Sequence, residues 1–295
     1  MTSVAVIAHA RKTLGAGLPA FRQRLECEVG PVELWCEVDK SRRARAQARH
    51  CVDAGADLII VWGGDGTVQR VVDAVAGTDV TVAIMPAGTA NLLATNLGVP
   101  ADLEAALDIA LHGARRAIDV GRVNGERFAV MAGAGLDAIM IKEADRQLKD
   151  RVGRLAYVLT GVRASGRRPV KARVDVDGRR WWRGATTCVL FGNMGTLTGG
   201  LVAFPGADPA DGRLEVGVVT AASRLQWARV LTRLVLRQAD RTPLTRTTRA
   251  RKVDVRFSKA ITYELDGGDR PPAKRLKVRL TPGAVRVAVP ALPAR

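Results

Sequence analysis

Nowhere in this 295-residue chain does an apolar run approach the ~18 to 20 residues that a membrane-spanning helix requires. If a membrane is involved, the protein must lie on its surface. Cysteine is scarce, and Cys27, Cys36, Cys51 and Cys188 form neither a C-x-x-C pair nor a regular spacing. That speaks against a zinc site and a disulfide framework, and for a reducing cytoplasm. Met1-Thr2-Ser3-Val4 leads directly into a strand-like run with no basic stretch ahead of a long apolar core, so a signal peptide is not expected. Repeats of solenoid period and long low-complexity linkers are also missing. Acid is in short supply: 29 Asp and Glu stand against 46 Lys and Arg, giving a formal charge of +17. Such an excess suits nucleic acid, anionic lipid headgroups or phosphorylated substrates. Arginine in a chain rich in Ala, Gly and Val also follows from genomic base composition, so charge alone does not choose. There is no helix-turn-helix, zinc or RNP-like signature, and no specific nucleic-acid partner is expected.

What is present is a globular chain, 47% hydrophobic, long enough for one large domain or two ordinary ones. Residues 4–8 (VAVIA), 57–62 (DLIIVW) and 80–85 are short apolar runs ended by His9, by glycines and by Pro86. They read as parallel strands buried on both faces. Helical patterns lie between and after them at 42–54, 68–75 and 103–111, so the first 120 or so residues alternate strand and helix as a layered α/β sheet does. From Asp119 onward the chain is punctuated by Asn124-Gly125, Asp177-Gly178, Gly199-Gly200, Asp211-Gly212 and Asp266-Gly267. Turns of this kind predict a second domain of antiparallel strands. Two helical interruptions are expected at about 141–164 and 222–239.

Two loops carry chemistry. Gly63-Gly64-Asp65-Gly66-Thr67 follows a buried strand and opens a helix. Missing side chains let backbone N–H groups approach phosphate oxygens, and the helix N-terminus adds partial positive charge. Thr67 offers a hydroxyl, and Asp65 could hold magnesium or orient a transferring phosphate; it could also simply cap the helix. Pro86-Ala87-Gly88-Thr89-Ala90-Asn91 ends the next predicted strand, so Thr89 and Asn91 should face the same crevice. Two such loops make a nucleotide cleft.

With those loops in view, the sequence resembles the diacylglycerol kinase catalytic family, which includes bacterial lipid kinases and the sphingosine and ceramide kinases. The resemblance rests on GGDGT at 63–67, PAGTAN at 86–91, IDVG at 118–121, GAGLDA at 133–138 and PADGRLEV at 209–216, in the family's order and over nearly the whole chain. It implies an α/β + β fold like that of NAD kinase. Residues 1–121 with a returning 283–295 would form the nucleotide domain, and 122–282 a β-sandwich lipid-substrate domain. It further implies ATP contacts from Gly63, Gly64, Asp65, Gly66, Thr67, Val68, Gln69 and Thr89, and a magnesium network through Asp65 and Asp119. A second, structural magnesium would sit at Asp211, with backbone near Asp208 and Arg213. A homodimer is compatible with the bacterial relatives.

The departures bear on activity. In bacterial members a glutamate follows Asp-Gly near the C-terminus as the proposed base; here Asp266-Gly267 is followed by Gly268. Asp269 would substitute if the turn bulges, and Asp266 is a second candidate. The first loop reads His9-Ala10-Arg11-Lys12-Thr13, and Gln69-Arg70 replace Asn-Glu, so Lys12 and Arg70 become candidate phosphate ligands. Basic segments surround Trp181-Trp182 (Arg163, Arg167, Arg168, Lys171, Arg173, Arg179, Arg180, Arg183) and mark a helix with Arg224, Arg229, Arg233 and Arg237. Trp beside Arg suits a membrane interface, and a solvated hairpin and amphipathic helix give the same pattern. Three functions stay open: transfer of the γ-phosphoryl of ATP to a lipid hydroxyl, most simply diacylglycerol, at the inner face of a membrane; nucleotide and lipid binding without turnover; and a kinase of a soluble substrate such as NAD.

Overall fold

The computed structural model describes residues 3–135, 169–197, 200–236 and 242–291. The expected helix at 141–164, the segment 136–138 of GAGLDA, and Arg163, Arg167, Arg168, Gly199 and Arg237 lie outside them. The chain divides into two compact units, residues 1–120 with 282–295, and residues 121–281.

The first unit alternates β1 (Val4–His9), α1 (Leu18–Val29), β2 (Leu34–Val38), a 3₁₀ turn (Ser41–Arg43), α2 (Ala44–Asp53), β3 (Leu58–Gly63), α3 (Asp65–Val75), β4 (Thr81–Pro86), α4 (Leu92–Leu97) and α5 (Leu103–His112). β3 and β4 are buried at every position, which is why they read as unbroken apolar runs rather than alternating ones. Their parallel register pairs Ile60 with Ala83, and β1 lies on the other side of β3, Val6 facing Ile60. The strand order is β2, β1, β3, β4. The chain steps outward from β1 to β2, then returns to the other side of β1 for β3. The carboxyl ends of β1 and β3 therefore form the switch point at which open α/β sheets bind ligands.

Sequence pattern missed α1 and β2. α1 buries only Phe21 and Leu25 and is otherwise charged, although Pro near its start and Gly30 at its end are fair terminal signals. β2 is an edge strand with a single buried position, so it presents no apolar run.

The second unit is antiparallel: β5 (Ala114–Val123, entering from the first unit), β6 (Glu126–Phe128), β7 (Met131–Ala134), β8 (Val170–Val176), β9 (Arg179–Thr186), β10 (Cys188–Gly192), β11 (Leu214–Val219), β12 (Thr245–Ala250) and β13 (Lys252–Leu265). β14 (Gly268–Val289) pairs antiparallel with β13 and then continues into the first unit beside β4. A helix, α6 (Arg224–Val235), interrupts the strands. Asn124-Gly125, Asp177-Gly178 and Asp266-Gly267 each form a two-residue hairpin turn with positive φ at both residues, as type I′ requires. The core gathers Phe128, Phe191, Leu214, Val255 and Leu265.

Trp181 and Trp182 are placed by a bulge. Val174 pairs with Trp182 and Asp175 with Arg180, leaving Trp181 as the extra residue of β9. Both rings pack partly buried against the core, where strict alternation would have sent one to each face. Both tryptophans therefore contribute to the packing of this hairpin.

Candidate active site

The first unit brings four loops together at the carboxyl ends of its strands. Trp62, the last apolar residue of β3 and fully buried, stacks on Phe21 with ring centroids 5.1 Å apart. Its indole N–H donates to the Lys12 carbonyl at 3.0 Å, so the loop after β1 is tied to the end of β3. The Ser41 hydroxyl, after β2, bonds that of Thr67 at 3.0 Å. The Leu92 N–H, after β4, donates to Asp65 Oδ1 at 2.5 Å. Asp65 thus links the two glycine loops through one hydrogen bond.

The glycines permit this. A Cβ on Gly88 would come within 2.4 Å of the Gly64 Cα, and one on Gly63 within 2.8 Å of the Thr67 Cβ. No side chain caps the first turn of α3, and the leading N–H groups of a helix have no intrahelical partner. An uncapped helix start beside two bare backbone loops is suited to a phosphate chain.

The helix begins at Asp65, inside the glycine run, three residues earlier than the pattern indicated. This changes the expected contacts. Val68 and Gln69 are turned inward and buried, as is the Thr67 side chain, so any contribution they make is through the backbone or by fixing the loop. Asn91 differs too. It sits in the left-handed region at φ 47°, its Oδ1 accepts from the Gly88 N–H at 2.9 Å, and its amide donates to the Pro86 and Gly88 carbonyls at 3.0 Å. Asn91 shapes the loop from within, whereas Thr89 is exposed. Lys12 and Arg70 are half-buried. His9 is buried beside Lys12 and Arg11, and burial and those charges hold its imidazole below the ordinary range.

Asp119 is buried on β5, and its Oδ1 accepts from the Gly283 N–H at 2.8 Å. Asp65 and Asp119 supply hard carboxylate oxygens, the donor type magnesium takes, each oriented by a backbone donor.

The second metal position is different. Asp211 Oδ1 accepts from the Arg213 N–H at 2.9 Å, while its Oδ2 faces the Arg249 guanidinium at 3.4 Å. Arg249 also bonds Glu215 at 2.7 Å and the Gly206 carbonyl at 2.6 Å. Asp208 accepts from the Ala210 N–H. A fixed guanidinium already supplies the positive charge, so the structural magnesium expected at Asp208, Asp211 and Arg213 does not fit this arrangement. Among the described residues, no cluster of three or more His, Cys, Asp or Glu is arranged to hold a metal ion.

The expected base also needs correcting. Asp266 is fully buried, its Oδ2 accepting from the Ala129 N–H at 2.8 Å and its Oδ1 from Val130 and Met131 at 2.9 Å. Burial raises its pKa, against the pull of those three backbone donors. Three backbone donors hold this carboxylate inside the fold. The bulge that would have swung Asp269 into place is also not there: Leu265 pairs with Gly268 and Glu264 with Asp269, closing a tight two-residue turn. Asp269 is exposed on the strand, and its neighbours across and along the sheet keep it on the face opposite position 268.

Gly268 lies under Arg270. A Cβ there would be 2.9 Å from Arg270 Nη1, which donates to the Gly268 carbonyl. The guanidinium is paired with both oxygens of Glu126, and this pairing raises its pKa. A cation thus fills the space that a side chain at 268 would enter. Nothing in the sequence pattern flagged Glu126, Trp62 or Ser41; Trp at a strand's last position was the one usable signal.

Comparison with known proteins agrees with this arrangement. The family description "Diacylglycerol kinase catalytic domain" matches residues 10–123, and "YegS C-terminal NAD kinase beta sandwich-like domain" matches residues 130–289. A diacylglycerol kinase of Mycobacterium tuberculosis is 31% identical over 254 residues, 82% of this chain and 81% of its own length. A diacylglycerol kinase of Bacillus subtilis is 32% identical over 219 residues, 72% and 71% of the two chains. A solved diacylglycerol kinase from Bacillus anthracis superposes with a TM-score of 0.78 at 20% identity, covering 97% of this chain and 96% of that one. An NAD kinase from Archaeoglobus fulgidus in complex with ATP superposes at 0.54 and 11%, covering 97% and 93%. The structural likenesses show the fold: an NAD kinase-like α/β unit followed by a β-sandwich-like one. With both halves matched in order and sequence identity sustained along most of two full chains, the protein belongs to the diacylglycerol kinase catalytic-domain family, a family of lipid kinases.

Proposed function

We propose that this protein transfers the γ-phosphoryl group of ATP to the hydroxyl of a lipid of the diacylglycerol type. The observation that carries the reading is the Asp65 to Leu92 bond, which joins the two glycine loops into one cradle at the switch point of the sheet. Backbone N–H groups of α3 and of the 86–91 loop would hold the phosphates, with Lys12 and Arg70 adding charge. Asp65 and Asp119 would hold magnesium, which neutralises charge on the phosphoryl oxygens. In the transfer the lipid hydroxyl oxygen forms the new bond to phosphorus, the bond from phosphorus to the ADP oxygen breaks, and the hydroxyl proton leaves to solvent. A loose transition state demands little early deprotonation, so turnover is compatible with the lack of a positioned base at 268. A lipid acceptor would be met at a membrane surface; among the described residues no helix is long and apolar enough to cross a membrane.

Incubation with labelled ATP, magnesium and a lipid extract should yield a labelled lipid, and Asp65→Asn should abolish it. Absence of label on every lipid, with NAD as a separate acceptor, would sink the proposal. A second reading, nucleotide and lipid binding without turnover, is favoured by the Arg270 guanidinium over Gly268. It requires ATP binding by an inert wild type and turnover in Gly268→Glu, whose side chain can displace the flexible end of Arg270.

A further inference from the structure

α6 is held to the second unit by one face. Trp227, Val230 and Leu231 are buried with Cys188, Val219 and Ala221, and Ser223 with Gln226 closes a capping box at its start. The opposite face is unusual. Leu225 is 65% exposed and Leu236, just past the helix, 57% exposed; among the described residues they are two of the three large hydrophobic side chains that stand out in water. Eleven positions, three helical turns or about 16 Å, separate them. Between them lie exposed Arg229, Thr232 and Arg233. With Ala228, Thr242 and Pro243 these residues line an open groove of about 430 Å³.

Two guanidinium groups and two threonine side chains line the groove, donor types suited to a phosphate group. Leu225 and Leu236, eleven positions apart, stand on the same side of the helix as Arg229 and Thr232. A soluble anion would use the donors and leave both leucines wet. A phosphodiester headgroup anchored in acyl chains uses all of them at once: charge at the surface, leucine below it.

We propose that the outer face of α6 docks this protein on an anionic bilayer, the groove taking the phosphodiester of a phospholipid headgroup between Arg229 and Arg233 while Leu225 and Leu236 enter the acyl boundary. The inference deepens the lipid-kinase reading by naming the surface that would bring the enzyme to its acceptor, but vesicle binding is measured without turnover, so either can fail alone.

Full-length protein is sedimented with vesicles of phosphatidylcholine, with and without phosphatidylglycerol. Wild type should partition to the mixed vesicles. Arg229→Gln with Arg233→Gln should lower that partition about tenfold or more, at ~1 kcal/mol per basic residue. Leu225→Ser with Leu236→Ser should lower it similarly, with melting temperatures unchanged in both. The same charge removed at Arg179 and Arg180 on β9 should change it less than twofold. Equal losses from the β9 pair, or no loss from the groove pair, would overturn the site. Displacement by inorganic phosphate with no effect of the leucine substitutions would make it a soluble-anion site and overturn the docking.

Discussion

Two aspartates, each followed by glycine, sit at tight turns in the two units and are used in opposite ways. Asp65 stands at a strand-to-helix turn, accepts the Leu92 N–H, and ties together two loops whose backbones are bare because glycine leaves them so. Asp266 stands in a type I′ hairpin and folds back under its own unit, where it accepts from three backbone N–H groups. The first joins two loops, the second anchors a hairpin to its own unit. Position along the chain and local motif do not separate them; what separates them is burial, Asp65 half-buried and Asp266 buried.

Replacing Gly88 by Ala is expected to have the largest effect, because its Cβ would press on the Gly64 backbone and force the two loops apart. Turnover should fall on the order of 100-fold, the scale of losing a positioned electrostatic contact, with weakened ATP binding by titration. Gly77→Ala, at a positive-φ turn with nothing near its Cβ, should cost stability without a specific loss of ATP affinity. Asp266→Ala should show the complementary behaviour: a loss of about 3 kcal/mol in urea unfolding, from buried amides left without an acceptor, while ATP affinity is kept. If Asp266→Ala instead removes ATP binding with stability intact, the contrast between the two turns collapses. The smallest effect concerns Arg249. Arg249→Met should lower the melting temperature by roughly 2 °C, consistent with a half-exposed ion pair, and any magnesium response of wild-type melting should be the same in Asp211→Asn. A magnesium-dependent rise that Asp211→Asn removes would show that Asp211 binds the ion despite the guanidinium.

Much of this was legible in the residues. β3 and β4 were visible because strands buried on both faces can be nothing but apolar, and the three Asn-Gly and Asp-Gly turns because few other residues tolerate left-handed φ. α1 and β2 were hidden, since each buries too little to leave a pattern. The cradle glycines were readable as glycines. That Thr67, Val68 and Asn91 would be spent on loop and core was not, because it depends on where the helix starts and on which carbonyls come within reach of an amide.

By itself the sequence determined the α/β and antiparallel halves and the phosphate-type loops, because backbone freedom and continuous burial are properties of residue type in local order. Tertiary structure alone decided which acid meets which partner: Asp266 its three amides, Asp211 the Arg249 guanidinium, Glu126 the Arg270 guanidinium that lies over Gly268. Glu126 and Arg270 lie 144 residues apart in the chain. Charge acts through space, and only folding brings such distant groups together.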